Sequence, residues 1–555
     1  MRLLDPLDRR TGEFANTPAS IVAQTGLSVV PRFRVISVFQ RFDRTMFDAR
    51  NRRRDESNSL MVSSSTDVGT TWTTPTPLPI IRAIDQSLLG QPSLSIDPAP
   101  NGSAYFARPS RPSTVWLVAT GADPRNPDAF AANERVNITR STNGGETFEP
   151  FRNTVCRGDS LGVCYPDVVS FPSIQSSASR LYMDGPNPLI PPFRIVTYTA
   201  TDKIDNKVRR VMRFVRDTPD GFSVANTVAP EDAVTEEIRG LNRTIVRGFG
   251  PFSPVFFWET RDRVDSGLWS VRFHAGYLGR EIGANGYYRY AIIPLPAPNL
   301  GRPVFATAAV APGRRSTGVR MDTHFDAALP GAIDVPTSAG KTVQIYQGTH
   351  TYLTWVGALE DGQPQSVWYQ RGTLQSIRGP VPPGVSIVWD APVEFTDRPQ
   401  GSIPFYPTIT TLGEEVANAP NDGPPLLDSP ALSYYEYDPA TQGVRLLVRR
   451  ERRDLPADAP IAVRWPVGNL SRASRNVDAV GEQPICSTDR SARWGSFISS
   501  LAVPDITTRS ASAILTFHTE SEAVGGQCAN TLTSAFVQRV AVTRWQVSDL
   551  AGLRP

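Results

Sequence analysis

Short apolar runs, separated by turn residues, recur along the whole chain and predict β-strands. The run at 59–63 is followed by a turn signal, as expected for one arm of a hairpin. Similar runs rich in Val, Ile, Phe, Tyr and Trp lie at 114–119, 194–199, 208–215, 268–273, 352–356, 366–369, 386–389, 444–449, 513–517 and 535–545. The best short helical candidate is 230–238, and no long amphipathic helix is indicated. The pattern therefore predicts an all-β protein.

An octapeptide that follows the first of these runs predicts a specific hairpin tip. Residues 65–72 read Ser-x-Asp-x-Gly-x-Thr-Trp. Asp hydrogen-bonds turn backbone and Gly supplies the positive φ that such a turn needs. A second copy occupies 141–148, with Asn for Asp and Phe for Trp, and a worn third copy occupies 217–222. A hairpin tip at this regular spacing indicates a repeated supersecondary unit.

A second periodic signal is a Pro-Ser-like segment, which we interpret as the opening of an innermost strand. Together with two weaker positions it predicts seven repeat starts, near 18, 92, 172, 254, 330, 407 and 495, within a single domain spanning 1–555. The N-terminal segment is expected to add a strand to the last repeat. Such an addition closes a ring and removes the sheet edge that would favour aggregation.

The octapeptides resemble the Asp boxes, or BNR repeats, of sialidases and related β-propellers. The resemblance implies a propeller of four-stranded blades. The repeat count favours seven blades, whereas close similarity to sialidases implies six. In that family the box is structural and lies away from the active site, so it identifies a fold and not a reaction.

The resemblance also implies candidate site residues, because sialidases use an arginine triad for the substrate carboxylate, a tyrosine nucleophile activated by glutamate, and an aspartate acid/base. Val38-Phe39-Gln40-Arg41 resembles the Glu-Gly-Arg-like end of the second strand in that family, with Arg41 in place of its arginine. The substrate-binding candidates are Arg41 and Arg272, and the catalytic candidates are Glu259, Tyr434, Tyr435, Asp55 and Glu56, with Asp48 a weaker choice. For each there is also a structural interpretation, as a solvated loop acid, an ordinary hairpin charge or a strand tyrosine.

Two departures from the family pattern favour a protein without catalytic activity. Phe14-Ala15-Asn16-Thr17-Pro18 keeps the proline of the first triad motif but lacks its arginine. Trp494-Gly495-Ser496-Phe497 has Ser in place of an Asp. Two hypotheses therefore remain, a propeller that binds a glycan or protein, which the departures favour slightly, and an exo-sialidase or related retaining glycosidase acting on terminal acidic sugars.

Charge and cysteine content limit the compartment and partners. A formal net charge of +3 argues against a dedicated nucleic-acid binder. The four cysteines suggest disulfides between Cys156 and Cys164 and between Cys486 and Cys528, with four free thiols as the alternative.

No segment approaches the ~20 apolar residues of a membrane span. Four widely spaced histidines make a zinc site improbable, and no cofactor is expected. The sialidase-like resemblance and the cysteines imply a secreted, periplasmic or cell-surface protein with a glycan or glycoprotein partner, with an intracellular chain as the alternative, while the oligomeric state stays open.

Overall fold

The computed structural model of the chain describes its strands and many of their connections. The described residues are 2–4, 13–25, 33–43, 58–79, 88–97, 112–122, 135–155, 157–158, 164–165, 169–176, 194–204, 207–218, 221–222, 226–228, 236–246, 254–263, 268–282, 288–294, 305–307, 322–327, 332–336, 342–346, 349–357, 366–377, 384–410, 430–438, 443–452, 455–456, 458–474, 498–505, 510–523 and 536–546. Nearly all regular structure among them is antiparallel β-sheet, and every predicted apolar run falls in or overlaps a strand.

The first four sheets follow one another along the chain. Sheet 1 contains β2 (Glu13–Gln24), β3 (Phe33–Asp43), β4 (Asn58–Ser65) and β5 (Thr76–Pro77). Sheet 2 contains β6 (Leu88–Asp97), β7 (Thr114–Ala122), β8 (Arg135–Ser141) and β9 (Arg152–Val155). Sheet 3 contains β12 (Val169–Ser176), β13 (Arg194–Ile204), β14 (Lys207–Thr218), β15 (Gly221–Phe222) and β16 (Asn226–Val228). Sheet 4 contains β17 (Glu236–Val246), β18 (Pro254–Arg263), β19 (Leu268–Ile282), β20 (Tyr288–Pro294) and β21 (Phe305–Thr307).

The remaining strands form three further sheets and two short ribbons. Sheet 5 contains β22 (Asp322–Ala327), β25 (Thr349–Gly357), β26 (Ser366–Ile377), β27 (Gly384–Trp389) and β28 (Val393–Phe395). Sheet 6 contains β29 (Ile403–Thr410), β30 (Ala431–Asp438), β31 (Gly443–Arg450) and β32 (Val467–Ser474). Sheet 7 contains β33 (Ser499–Asp505), β34 (Ser510–Ala523), β35 (Phe536–Gln546) and the N-terminal β1 (Arg2–Leu3), and one bridge joins it to sheet 6. The ribbons are β10 (Arg157–Gly158) with β11 (Cys164–Tyr165), and β23 (Ala332–Pro336) with β24 (Thr342–Tyr346). A four-residue helix, α1 (Ile461–Arg464), precedes β32.

The N-terminal strand belongs to the last sheet, as the sequence predicted. Arg2 and Leu3 pair with Val542 and Ala541 of β35, and the Leu4 amide donates to the Val540 carbonyl at 2.9 Å. The first strands of successive sheets also contact one another, from β2 through β6, β12, β17, β22 and β29 to β33, and β33 contacts β2. The first and last thirds of the chain are therefore held together by both strand pairing and packing.

The Pro-Ser signal marks bulges inside the first strands, which corrects our interpretation of it as a strand opening. In β2, β6, β12 and β29 the register shifts across two residues, the second of which is Pro18, Pro92, Pro172 or Pro407. Proline has no N–H to donate to a ladder, so a bulge is where a paired strand tolerates it. The residues before two of these prolines, Gln91 and Tyr406, have φ of 48° and 50°.

Sheet 4 does not follow this pattern. The repeat start expected at 254 falls at the beginning of β18, which is the second strand of this sheet. The first strand, β17, contains no proline, so the Pro-Ser signal does not mark it. The end of the helical candidate 230–238 is likewise extended, since β17 begins at Glu236. The starts expected near 330 and 495 lie outside the described residues, between β22 and β23 and before β33.

The hydrophobic core consists of layers between neighbouring sheets. Ile36 and Val38 of sheet 1 pack with Val115 and Leu117 of sheet 2, whereas Phe39 of the same strand packs against sheet 7. Successive side chains of a strand point to opposite faces, so the second strand of sheet 1 contributes apolar side chains to the core layers on both sides of the sheet. Sheet 1 therefore buries apolar side chains on both faces.

Candidate functional site

The first octapeptide forms the predicted tip through hydrogen bonds within its own eight residues. The Ser65 hydroxyl donates to Asp67 Oδ1 at 2.7 Å and accepts from the Gly69 amide at 2.8 Å. Asp67 accepts from the Thr71 amide at 2.7 Å and from the Thr71 hydroxyl at 2.5 Å. Partial burial opposes any fall in the pKa of Asp67, but these hydrogen bonds outweigh it and lower that pKa to about 2. The tip is thus a self-contained network.

The second octapeptide repeats this network with an amide in place of the carboxylate. The Ser141 hydroxyl accepts from the Gly145 amide at 2.9 Å, and Asn143 Oδ1 accepts from the Thr147 amide at 3.0 Å. The Asn143 side-chain amide donates to the Thr147 hydroxyl at 2.9 Å. The worn third copy forms a hairpin in which Asp217 pairs with Phe222. All three copies follow the third strand of their sheet.

Each of the first two tips docks onto the second strand of the neighbouring sheet. A Cβ on Gly69 would lie 2.9 Å from Leu515 of β34, and a Cβ on Gly145 would lie 2.0 Å from Ile36 of β3. Trp72 meets the Phe517 ring edge-on at 5.5 Å between centroids. Glycine is therefore needed for close approach as well as for its positive φ. The tips therefore connect neighbouring sheets.

One candidate site residue, Arg41, lies at the opposite end of its sheet. We call this the site end, where each second strand finishes and each third strand begins. Ser65, which starts the first tip, pairs with Val35 near the beginning of β3, while Arg41 pairs with Ser59 near the other end. Arg41 is partly buried and lies at the site end of sheet 1. The meander thus separates the tips from this candidate.

Glu259 and Arg272 are direct cross-strand partners on β18 and β19. Their side chains lie outside the described part of the chain. Asp48, Asp55 and Glu56 are outside the described residues altogether.

Tyr434 is buried between sheets 5 and 6, and its hydroxyl is engaged by a buried arginine. Arg449 Nε donates to the Tyr434 hydroxyl at 3.0 Å. The same guanidinium forms a fork with Asp397 at 2.8 and 2.9 Å and donates to the Trp465 carbonyl at 3.1 Å. Burial raises the pKa of Tyr434, although Arg449 opposes the shift. This tyrosine is held as a neutral packing residue.

Tyr435 is buried on the other face of β30, against sheet 7. Its hydroxyl accepts from the Thr519 amide at 2.6 Å and donates to the Thr519 carbonyl at 3.2 Å. Its ring stacks on Phe405 at 5.1 Å. The alternation expected of a strand is confirmed, since the two tyrosines face opposite neighbours. Their side chains are 2% and 0% exposed, so neither presents a free phenol to solvent.

Glu436, which the sequence reasoning did not select, lies at the site end beside two arginines. It is 1% exposed, pairs across the strands with Arg445 and forms an ion pair with it. Arg398 is half-buried and donates to the Ser402 carbonyl and, at 3.3 Å, to the Ser366 hydroxyl. Burial lowers the pKa of Arg398, and the nearby Glu436 partly offsets this. The available signal was an acid inside the aromatic run Tyr434–Tyr437, where a half-buried strand would otherwise take apolar residues.

The arrangement at the site end favours binding of polar ligands. Arginine forks recognise carboxylates and hydroxyls with several donors. Within the described ranges, no group of three or more His, Cys, Asp or Glu side chains is arranged to hold a metal ion. No described helix is long and apolar enough to cross a membrane.

Comparisons with known proteins give only distant structural similarity. No protein-family model matches the chain, and no curated protein matches it. Among solved structures, a fungal lectin from Aleuria aurantia with a six-bladed β-propeller fold is 9% identical, with a TM-score of 0.33 and coverage of 82% of this chain and 94% of the lectin. A leech intramolecular trans-sialidase is 12% identical, with a TM-score of 0.33 and coverage of 100% and 71%. An ulvan lyase is 9% identical, with a TM-score of 0.37 and coverage of 98% and 99%. At these values we draw no conclusion about blade number or activity from any of them.

Proposed function

We propose that the chain is a closed, seven-bladed propeller whose site end binds a glycan without hydrolysing it. The cyclic contacts of the first strands and the pairing of β1 with β35 support closure, because a closed ring leaves no sheet edge unpaired. The two Asp-box networks support a propeller of the sialidase-like kind. The arginines around Glu436 supply donors for a carboxylate or hydroxyl ligand.

One observation carries the choice of binding over catalysis. The hydroxyls of Tyr434 and Tyr435 are buried and already hydrogen-bonded, to Arg449 and to Thr519. A nucleophilic tyrosine has to reach the anomeric carbon and needs a base within hydrogen-bond distance. Burial raises the pKa of Tyr434, which works against activation.

A glycan array and a fluorogenic glycoside assay, run on the same preparation, test the proposal. We expect glycan binding, no turnover of sialosides or other aryl glycosides, and unchanged binding by Tyr434→Phe, which keeps the ring but removes the hydroxyl. Substitution of Arg445 by Gln at the site end should weaken glycan binding. Absence of binding to any glycan would contradict the proposal.

The second candidate function is a retaining exo-glycosidase acting on terminal acidic sugars. Its support is the direct cross-strand pairing of Glu259 with Arg272. In this alternative Glu259 is the base that activates the tyrosine, and Arg272 binds the carboxylate of the substrate. Asp55 or Glu56 would then act as the acid/base, and Arg41 would contribute a second clamp. Turnover that is lost in both Glu259→Gln and one tyrosine-to-phenylalanine variant would establish this alternative.

We further propose a secreted or cell-surface location with a glycan or glycoprotein partner. The cysteine pairs 156–164 and 486–528 are then disulfides, since such bonds persist in oxidising compartments. Peptide mapping without reduction should find both pairs. Four free thiols, or crossed pairing, would contradict this.

A further inference from the structure

A pocket lies between sheets 5 and 6. It has a volume of about 360 Å³ and separates the edge strand β28 from the segment that carries α1. Small-ligand pockets begin at roughly 300 Å³, so one small molecule fits. The apolar part of its wall consists of Pro392, Val393 and Ile461, with Trp465 among the lining residues.

The side of the pocket that contains Trp465 is fixed by aromatic packing and a hydrogen bond. The Trp465 ring is completely buried and meets Tyr369 and Phe395 edge-on, at centroid distances of 4.7 and 5.2 Å. Its carbonyl accepts from buried Arg449. Trp465 is therefore a fixed support behind the pocket surface, and little freedom of this side chain remains to be lost on binding.

The polar groups of the pocket include a carboxylate that is free to accept hydrogen bonds. Glu394 makes no hydrogen bond and no close ion pair with any described residue, and the Thr396 hydroxyl donates to none of them. Across the pocket, Arg464 donates to Glu451 at 2.6 Å. Arg398 lies close enough to Glu394 to interact with its charge. Among the described residues, the charged groups that line the pocket are Glu394 and Arg464, whose charges balance, which favours a neutral ligand over an ion.

We propose that this pocket binds one neutral monosaccharide ring. A pyranose offers an apolar C–H face for Pro392, Val393 and Ile461. Its hydroxyls are both donors and acceptors, so they can donate to Glu394 and exchange hydrogen bonds with Thr396.

Titration calorimetry of the full chain with glucose, galactose, mannose and fucose tests the pocket, with glucuronic acid, glucosamine and glycerol as comparison ligands. We expect a neutral sugar to bind with a dissociation constant on the order of 1 mM. Ala459→Trp, which fills the pocket, should abolish this binding. Glu394→Gln, which keeps the shape but removes the charge, should weaken it on the order of tenfold. Glu146→Gln, at an exposed position of the second tip, is the matched control and should bind as wild type.

The outcomes separate this site from the site end. If each variant melts at the wild-type temperature, a loss of binding is not a loss of fold. Thr396→Val is a second, conservative variant that should also weaken sugar binding. No binding of any neutral sugar, equal binding by Ala459→Trp, or preference for a charged sugar or glycerol would overturn the proposal. Glycan-array binding that survives in Ala459→Trp reports on the site end alone, so the proposed function stands or fails independently.

Discussion

Replacement of Trp72 by alanine tests the role of the first tip as a fastener between sheets 1 and 7. The Trp72 ring packs on the cluster that contains Leu515 and Phe517, and its indole N–H donates to the Gly69 carbonyl at 3.0 Å. Truncation of a core aromatic to alanine costs about 3–5 kcal/mol. Because Trp72 is only partly buried, we expect the low end of this range, about 3 kcal/mol.

Trp72→Phe separates the two contributions. Phenylalanine keeps most of the ring contact with Phe517 but loses the hydrogen bond to Gly69, so the expected loss is about 1 kcal/mol. Urea unfolding measures the free energy of unfolding of both variants, from the shift of the midpoint urea concentration at an unchanged m-value. Glycan binding by the folded fraction should be unchanged, because the tip lies at the end opposite Arg41.

Two results would refute this reasoning. The first is an alanine variant within 0.5 kcal/mol of wild type, which is the usual range for an inert surface position. The second is lost ligand binding with unchanged unfolding, which would mean that the tip belongs to a binding site.

Three further changes probe other parts of the structure. Asp67→Asn should keep most of the stability lost in Asp67→Ala, because Asn143 makes the same network. Since the pKa of Asp67 is lowered to about 2, wild type should lose more stability than Asp67→Asn as the pH falls from about 4 to 2. Burial lowers the pKa of His518 to about 4, so between pH 6.5 and 4 the unfolded chain takes up the proton and the folded chain does not. The stability of wild type should therefore fall by up to about 3 kcal/mol as the pH falls from 6.5 to 4. A flat stability profile over this range would contradict the assignment. Gly145→Ala should lower the melting temperature, since φ is +81° and the new Cβ would lie 2.0 Å from Ile36 Cδ1; an unchanged melting curve would show that the tip does not need this close approach.

The features that were predictable from sequence are those whose cause is local. The tip at 65–72 closes its hydrogen bonds within eight residues, so its motif contains the information for its shape. Apolar runs mark strands because a strand with both faces buried needs them. Pairing of the N-terminal strand followed from the need to cover a sheet edge.

The features that were missed depend on partners distant in the chain. A bulge exists only relative to the register of the next strand, so Pro18 and Pro92 could not be placed inside strands from their own neighbours. In sheet 4 the first strand β17 contains no proline, so the repeat count relied on Pro254 of the second strand β18. Glu436 was not selected as a candidate, because its burial depends on the packing of β30 within the folded sheets.

Product analysis of a bound glycan tests the central claim most directly. The glycan that binds best on the array is incubated with the protein at saturating concentration, and its NMR spectrum is followed over time. We predict an unchanged spectrum, because the hydroxyls of Tyr434 and Tyr435 are buried and engaged. Release of a terminal sugar by wild type, abolished in Tyr434→Phe or Tyr435→Phe, would contradict the account.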